Sequence, residues 1–450
     1  MLSFFKTLIS AVLAFIMAIL PGAGSGDTEK KCEAEFNGTF VQSWMSCQWD
    51  DARWQEEISY MKQHGVEYLV LQDIANMSSD GKWQIFYDSQ LETFEDADFK
   101  GDVIDAALRN CNGTGIKVFV GLAMFDSFWT TGTLTGTYNK VCSVAAEMAQ
   151  EIYSKYYEKY SDSFYGWYFT PEINNILICE LNFTGACRGL NKVLDKVDEI
   201  DPSLPMLLSP FTSKYLSSGP IKTLSDWVTF FSLAHLRDGD IFAPQDAVGA
   251  GWISESELDT VWKMYKTAID TAEADIKLWA NCENFTVAVA DSFGAGIIAR
   301  PETENKENVT ASLDRFIRQM EIASKYAENI ITFSYSHYYS PGKVDPCFIN
   351  TYMDYINNGH VLETQAPTAA GNFIKVKDGA NIVLTWEASQ DNFGISHYRI
   401  LKDGKFLTRI ECLYGSPELT FTDENGDIDS EYTIIAYDAA GNCSVEVGAR

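Results

Sequence analysis

The chain is 450 residues long, 46% apolar and 13% aromatic, with a formal net charge of -29. Its size allows a large core and more than one domain. The acidic balance argues against nucleic acid and anionic membrane surfaces as partners, because phosphate recognition needs clustered Lys and Arg.

Lys6 precedes an apolar run from Thr7 to Leu20, and small residues follow at Pro21-Gly22-Ala23-Gly24-Ser25-Gly26. That layout reads as a secretory signal over residues 1–26, and the run is short for a membrane span. Export is therefore expected, with no membrane contact once the signal is removed. Ten cysteines, an even number, suit disulfides in an exported chain. Cys179 with Cys187 and Cys412 with Cys443 are the expected pairs. No Cys-x-x-Cys or His-x-x-x-His spacing occurs and there are five histidines, so neither a metal site nor a metal-dependent hydrolase is expected. No cofactor is expected either.

Phe36 to Trp44 reads as a first strand, followed by a helix capped at Asp50 or Asp51 with Trp54, Ile58 and Met61 on one face. Val66 to Asp73 is a near-continuous apolar run and reads as a buried second strand. A helix over 98–111 and a third strand over 116–124 follow, then a loop with Asp126 and Trp129, and a long helix over 138–160. The fourth strand is Phe-Tyr-Gly-Trp-Tyr-Phe from Phe164. It stops at Pro171, which cannot donate to a sheet ladder, and leaves Glu172 at its carboxyl end. A helix to Ile200, strand five over 205–211, a helix over 221–236 and strand six within 240–251 come next. Ser254 caps another helix, Ile276 to Phe285 is strand seven and ends near Glu283, and a helix over 309–326 precedes strand eight over 329–339. A last helix spans 346–357.

Eight strands alternating with eight helices predict a closed (β/α)8 barrel over 32–360. An open doubly wound sheet fits less well, since no Gly-x-Gly-x-x-Gly turn follows the first strand. At Gln365-Ala366-Pro367 the pattern changes to short alternating strands at 382–386, 397–401, 419–423 and 432–438. This predicts a small β-sandwich over 366–450. Trp386, Tyr398-Arg399-Ile400 and Tyr432-Thr433-Ile434-Ile435-Ala436-Tyr437-Asp438 make it resemble a fibronectin type III module, which implies a spacer role.

A barrel carries its chemistry at the carboxyl ends of its strands. This sequence places there Gln42 and Trp44, Gln72 and Asp73, Tyr168, Thr170 and Glu172, Ser209, Gln245 and Asp246, Trp279, Asn281 and Glu283, and Tyr335 and His337. Carboxylates, amides and flat rings together suit a sugar, whose hydroxyls need polar partners and whose faces need apolar ones. Glycoside hydrolysis needs two carboxyl groups, one donating a proton and one attacking the anomeric carbon or activating water. In this respect the chain resembles the clan of retaining barrel glycosidases, whose acid/base ends strand four and whose nucleophile ends strand seven. The resemblance implies Glu172 as acid/base and Glu283 as nucleophile. Pro171 departs from the Asn that the clan carries before its acid.

A closer resemblance spans most of 36–357. It rests on Gly38-Thr39-Phe40-Val41-Gln42-Ser43-Trp44, Leu69-Val70-Leu71-Gln72, Gly166 to Ile173, Leu208-Ser209-Pro210-Phe211, Ala243-Pro244-Gln245-Asp246 and Leu278 to Phe285. These look like a family of secreted glycosidase-like barrels catalogued mainly as a domain of unknown function. The expected activity is glycoside hydrolysis on an oligo- or polysaccharide, by retention if the two carboxyls stand about 5–5.5 Å apart and by inversion if they stand farther apart. The alternative is a non-catalytic carbohydrate-binding or adhesive protein on the same scaffold.

Overall fold

The computed structural model describes residues 30–128, 136–174, 183–211, 219–287, 308–412 and 419–450. The expected signal, Trp129 and Cys179 lie outside these. The chain divides into two compact units, 1–283 with 319–334, and 284–318 with 335–450.

The first unit holds eight parallel strands closed into a barrel. They are β1 (Gly38–Val41), β2 (Tyr68–Leu71), β3 (Lys117–Gly121), β4 (Phe164–Phe169), β5 (Met206–Leu208), β6 (Ile241–Phe242), β7 (Lys277–Glu283) and β8 (Asn329–Phe333). Neighbours in sequence pair throughout, and β1 closes the ring on β8. Connecting helices are α1 (Asp51–Gln63), α2 (Val103–Cys111), α3 (Gly136–Ile152), α4 (Phe183–Ile200), α5 (Pro220–Leu233) and α6 (Glu255–Ala272), while α7 (Leu313–Ala323) spans the division between the units. Local chemistry starts them where the sequence indicates. Asp50 accepts from the Arg53 N–H at 2.8 Å, and Ser254 with Glu257 forms a capping box at α6.

Successive side chains of a strand face opposite ways, so a closed sheet sorts every strand into inward and outward residues. The outward set, including Leu69, Leu71, Val118, Val120, Trp167, Leu208, Phe242, Leu278 and Ile330, is fully buried beneath the helices. Every strand contributes inward residues to one apolar cluster: Phe40, Val70, Phe119, Tyr168, Leu207, Ile241, Trp279 and Ile331, with Ala243 just beyond β6. Burial on both faces explains why these strands read as unbroken apolar runs.

Several boundaries differ from expectation. The first strand ends at Val41, and Ser43–Ser46 turns into a short helix that carries Trp44. Helix α2 begins at Val103 on an Asp102 cap, because residues 98–99 pair instead in a small four-stranded sheet with 83–85, 75–77 and 123–125. That sheet, built from the loops after β2 and β3, was not legible, since its strands are two or three residues long. Strand eight ends at Phe333, and Tyr335 and His337 lie on a helical turn, Tyr335–Tyr338, of the second unit.

The second unit contains a hairpin of Phe285–Val287 with Asn308–Thr310, the helix α8 (Cys347–Asn357), and seven strands. These are β9 (Gly371–Asp378), β10 (Asn381–Glu387), β11 (Ile395–Lys402), β12 (Lys405–Glu411), β13 (Thr420–Asp423), β14 (Tyr432–Asp438) and β15 (Val447–Gly448). One sheet runs β9-β10-β13 and the other β12-β11-β14-β15. Their shared core includes Phe373, Leu384, Trp386, Tyr398, Ile400 and Ile434. Strands β9, β12 and β15 were not expected from sequence. They are edge strands, and β9 leaves Ile374 and Val376 exposed, so it lacks the alternation that betrays a half-buried strand. The hairpin and α8 belong to this unit, which therefore begins well before Gln365-Ala366-Pro367.

The cysteines of the described residues are free thiols. The expected Cys412–Cys443 bond is absent. Cys412 points into the sandwich core, whereas Cys443 is exposed in the turn where it bridges Tyr437. Cys187 is a buried thiol.

Strands β2 and β3 approach each other closely at Gly121, where a Cβ would stand 2.4 Å from the carbonyl oxygens of both Leu71 and Gln72. Main chain cannot yield there as a flexible side chain would. Gly121→Ala should lower stability by about 3 kcal/mol in urea denaturation. Gly136→Ala, where a Cβ meets nothing within 4 Å, should leave the midpoint in place. An unchanged midpoint for Gly121→Ala would show that the strands part freely.

Candidate active site at the barrel mouth

Above the apolar layer, the same alternation raises a polar one. Two residues beyond Val70, Leu207 and Trp279 come Gln72, Ser209 and Asn281, and two beyond Ala243 comes Gln245. Beyond Phe119 comes Gly121, which presents no side chain and lets the main chain of β2 approach closely. Asn281 donates from Nδ2 to Ser209 Oγ at 2.9 Å, and Gln245 pairs with Asn281 as an isolated bridge. The Gln245 amide donates to the Ser209 carbonyl at 3.3 Å and also bonds the Glu172 carboxyl. A continuous chain of hydrogen bonds thus runs from β7 across β5 and β6 to the carboxyl end of β4.

Glu172 follows β4 by three residues and keeps part of its surface open to solvent. It lies deep among protein atoms, and burial pushes its carboxyl up to about 7 against a partial offset from Gln245. Asp73, just beyond β2, has the same character. Burial pushes it up to about 7, its own main-chain N–H offsets part of this, and the charge of Asp126 adds to the rise. Asp126 is exposed and accepts from Asn76 Nδ2 at 2.8 Å. The Tyr168 phenol is driven well above its ordinary value by burial and then by the charges of Glu172 and Asp73. Thr170 is spent on structure, donating to the Ala123 carbonyl at 2.8 Å.

Glu283 ends β7 and is 2% exposed. Its Oε2 accepts from the Ala250 N–H at 2.7 Å. The loop that supplies this donor turns at Ala247, whose φ of 56° lies in the left-handed region that costs a side-chain-bearing residue. Asp246 is fully buried. It accepts from the main chain of Val248 at 3.2 Å and of Glu283 at 3.3 Å, and from Gln319 Nε2 of α7 at 2.5 Å. Gln319 also reaches the Glu283 carbonyl at 3.1 Å. Asp246, expected to meet substrate, is instead committed on both oxygens to holding Glu283 and its loop. Gln319 was missed in sequence, because nothing marks a polar residue on a helix as the partner of a carboxylate 73 residues earlier.

The remaining candidate residues lie as follows. Trp279 and Tyr168 belong to the apolar cluster, where Trp279 packs at a tilt against Tyr68 with ring centroids 4.9 Å apart and Tyr168 meets Phe40 edge-on at 5.4 Å. They form the floor of the cup. Trp44 is 52% exposed on its helical turn. Tyr335 and His337 fall in the second unit, where Tyr335 is buried, and burial lowers His337 to about 4. Gln42 is half-buried at the end of β1, its carbonyl accepting from Ser46 Oγ at 3.1 Å. Among the described residues no group of His, Cys, Asp and Glu is arranged to hold a metal, and no helix is long and apolar enough to cross a membrane.

Comparison with known proteins adds the following. Among solved structures, a protein of Bacteroides thetaiotaomicron named a "putative alpha-L-fucosidase" is 21% identical with a TM-score of 0.55, over 75% of this chain and 98% of that one. A structure named "Glycoside hydrolase" is 12% identical with a TM-score of 0.44, over 89% and 92% of the two chains. A beta-glucuronidase of Bacteroides uniformis is 11% identical with a TM-score of 0.41, over 92% and 45%. At these identities the first likeness is one of fold. No curated protein matches the sequence. Residues 36–345 match the family described as "Domain of unknown function (DUF4434)", and their extent includes every barrel strand and both candidate glutamates, so the chain belongs to the DUF4434 family.

Proposed function

We propose that the first unit is a glycoside hydrolase in which Glu172 is the acid/base and Glu283 the nucleophile of a retaining reaction. The observation that carries this reading is the pairing of unlike environments. A partly accessible carboxyl sits at the end of the fourth strand and is held half-protonated near neutrality. A second sits at the end of the seventh, with an oxygen fixed by a main-chain N–H. Divergent surroundings are what acid and nucleophile require. In the first step Glu172 gives its proton to the glycosidic oxygen as the bond to the anomeric carbon breaks. Glu283 closes on that carbon to form a glycosyl ester. Water, deprotonated by Glu172, then releases the sugar and restores both carboxyls. Gln245 positions the acid, and Asp246 with Gln319 positions the nucleophile.

The same reading takes the chain as exported, on the strength of Lys6 and the apolar run that follows. It takes the sandwich as a fibronectin type III-like spacer. The sheet orders β9-β10-β13 and β12-β11-β14-β15 support that assignment.

A screen of aryl glycosides identifies a turnover substrate. Glu172→Gln should then lower kcat/KM about a thousandfold on unactivated glycosides and far less on dinitrophenyl glycosides, whose leaving group needs no proton. Glu283→Gln should lower both about ten-thousandfold. Full activity in either variant rejects that residue's role. For the wild type, kcat/KM should fall as pH rises through about 7, where the acid loses its proton, and this limb should vanish in Glu172→Gln.

The raised acid also leaves a mark on stability. A carboxyl raised in the folded state from 4.5 favours folding below that value, and the advantage disappears as pH rises through about 7. Glu172→Gln should therefore be more stable than wild type by about 1–2 kcal/mol at pH 8, with no such gain at pH 4. Equal differences at both would place Glu172 in free solvent.

Asp246→Asn turns an acceptor into a donor facing other donors. It should cost about 2–3 kcal/mol of stability and lower kcat about tenfold well below Tm with KM within twofold. A KM effect alone would return Asp246 to substrate binding.

A further inference from the structure

We propose that Trp252, braced by Phe211, is the platform on which the sugar held between Glu172 and Glu283 lays the apolar face of its ring. This rests on the glycosidase reading of the same site and adds to it the residue that selects a closed pyranose ring.

The placement follows from the order of the strands. Around the barrel β5 and β6 lie between β4, which leads to Glu172, and β7, which ends on Glu283. Pairing of β5 with β6 continues past both strands. The Ala243 N–H donates to the Leu208 carbonyl at 2.7 Å, and the Gln245 N–H to the Pro210 carbonyl at 2.9 Å. The alternation that lifts Ser209 above Leu207 therefore carries Phe211 one tier higher, onto the rim. The Trp252 ring meets Phe211 edge-on, with centroids 5.9 Å apart and planes at 85°. Both side chains are half-buried. An aromatic pair thus stands on the arc of the mouth that joins the two glutamate strands.

Trp252 is also tied to the nucleophile. It follows by two residues the Ala250 N–H that holds Glu283 Oε2 at 2.7 Å. The turn between them is closed. Gly251 donates to the Val248 carbonyl at 3.0 Å, and Trp252 and Ile253 both donate to the Ala247 carbonyl, at 3.0 and 3.2 Å. Ile253 is buried, and Ser254 begins the capping box of α6. The indole is therefore carried on a fixed main chain, and an edge-on contact leaves at least one of its faces uncovered by Phe211. Phe40, Tyr168 and Trp279 cannot take this role, being 1%, 1% and 4% exposed in the floor. A pyranose matches such a surface, with C–H groups gathered on a ring face and hydroxyls at the edge. An open-chain polyol has the hydroxyls without the face.

The test titrates the full chain at neutral pH with the methyl glycosides of glucose, galactose, mannose and fucose, in both anomeric forms, and with glucitol. Tryptophan fluorescence and calorimetric affinity are read. At least one glycoside should change the emission, and glucitol should not. Trp252→Leu should abolish that change and weaken the glycoside about tenfold, whereas Trp252→Tyr, which keeps a ring, should stay within about threefold of wild type. Phe211→Leu frees the platform without deleting it and should weaken binding about threefold; it serves if Trp252→Leu does not fold. On the substrate found by the aryl glycoside screen, Trp252→Leu should raise KM about tenfold with kcat within about threefold. Four results overturn the proposal: no glycoside response in the wild type, an equal response to glucitol, unchanged affinity in Trp252→Leu, or a fall in kcat and Tm at constant KM, as a residue that only braces the turn would give. Sugar binding that depends on Trp252 without turnover of any glycoside overturns the glycosidase reading alone. Turnover with KM unchanged in Trp252→Leu overturns this proposal alone.

Discussion

Closure of the sheet governs the rest of the first unit. Once eight strands meet edge to edge, every second side chain must enter a space that only a few can fill. Phe40, Val70, Phe119, Tyr168, Leu207, Ile241, Ala243, Trp279 and Ile331 fill it as one apolar cluster. Anything carried two residues further along the strands is lifted onto that floor, away from bulk water but not sealed from it. Gln72, Ser209, Asn281 and Gln245 stand there because of their parity with the apolar residues below.

That parity was open to reading in the sequence. The runs at 68–71, 117–121 and 164–169 announce strands buried on both faces, and Pro171 and Glu283 mark where two of them stop. Helix starts at Asp50 and Ser254 were likewise written in their capping residues. What escaped depends on contacts between distant segments. Pairing of 75–77 with 83–85 and 123–125 has no local signature, because two or three residues cannot display a period. Asp246 and Gln319 meet across a long sequence separation, so the role of either is invisible alone. Trp279 and Tyr168 were counted among the substrate-site candidates because an aromatic near a strand end looks the same whether it lines a cup or floors it.

The two glutamates illustrate how one scaffold treats identical groups differently. Glu172 follows a proline that ends the ladder, so its carboxyl meets one amide and little else, and it retains its proton toward neutrality. Glu283 remains within its strand and is surrounded by groups arranged for it, among them Asp246, which contacts no solvent at all. Burying Asp246 is costly, and three donors offset that cost. The expenditure makes sense if a fixed Glu283 is what the fold is selected to keep.

The donor that fixes Glu283 belongs to the backbone of residue 250. Side-chain drift at that position leaves the contact untouched, and proline is the one replacement that deletes it. A scan of substitutions at 250 would therefore look permissive, while the geometry beneath stayed under tight control of the turn at Ala247. Relatives can vary freely in sequence here and still share the same oxygen clamp, which would be recognised from the path of the chain and not from any residue type.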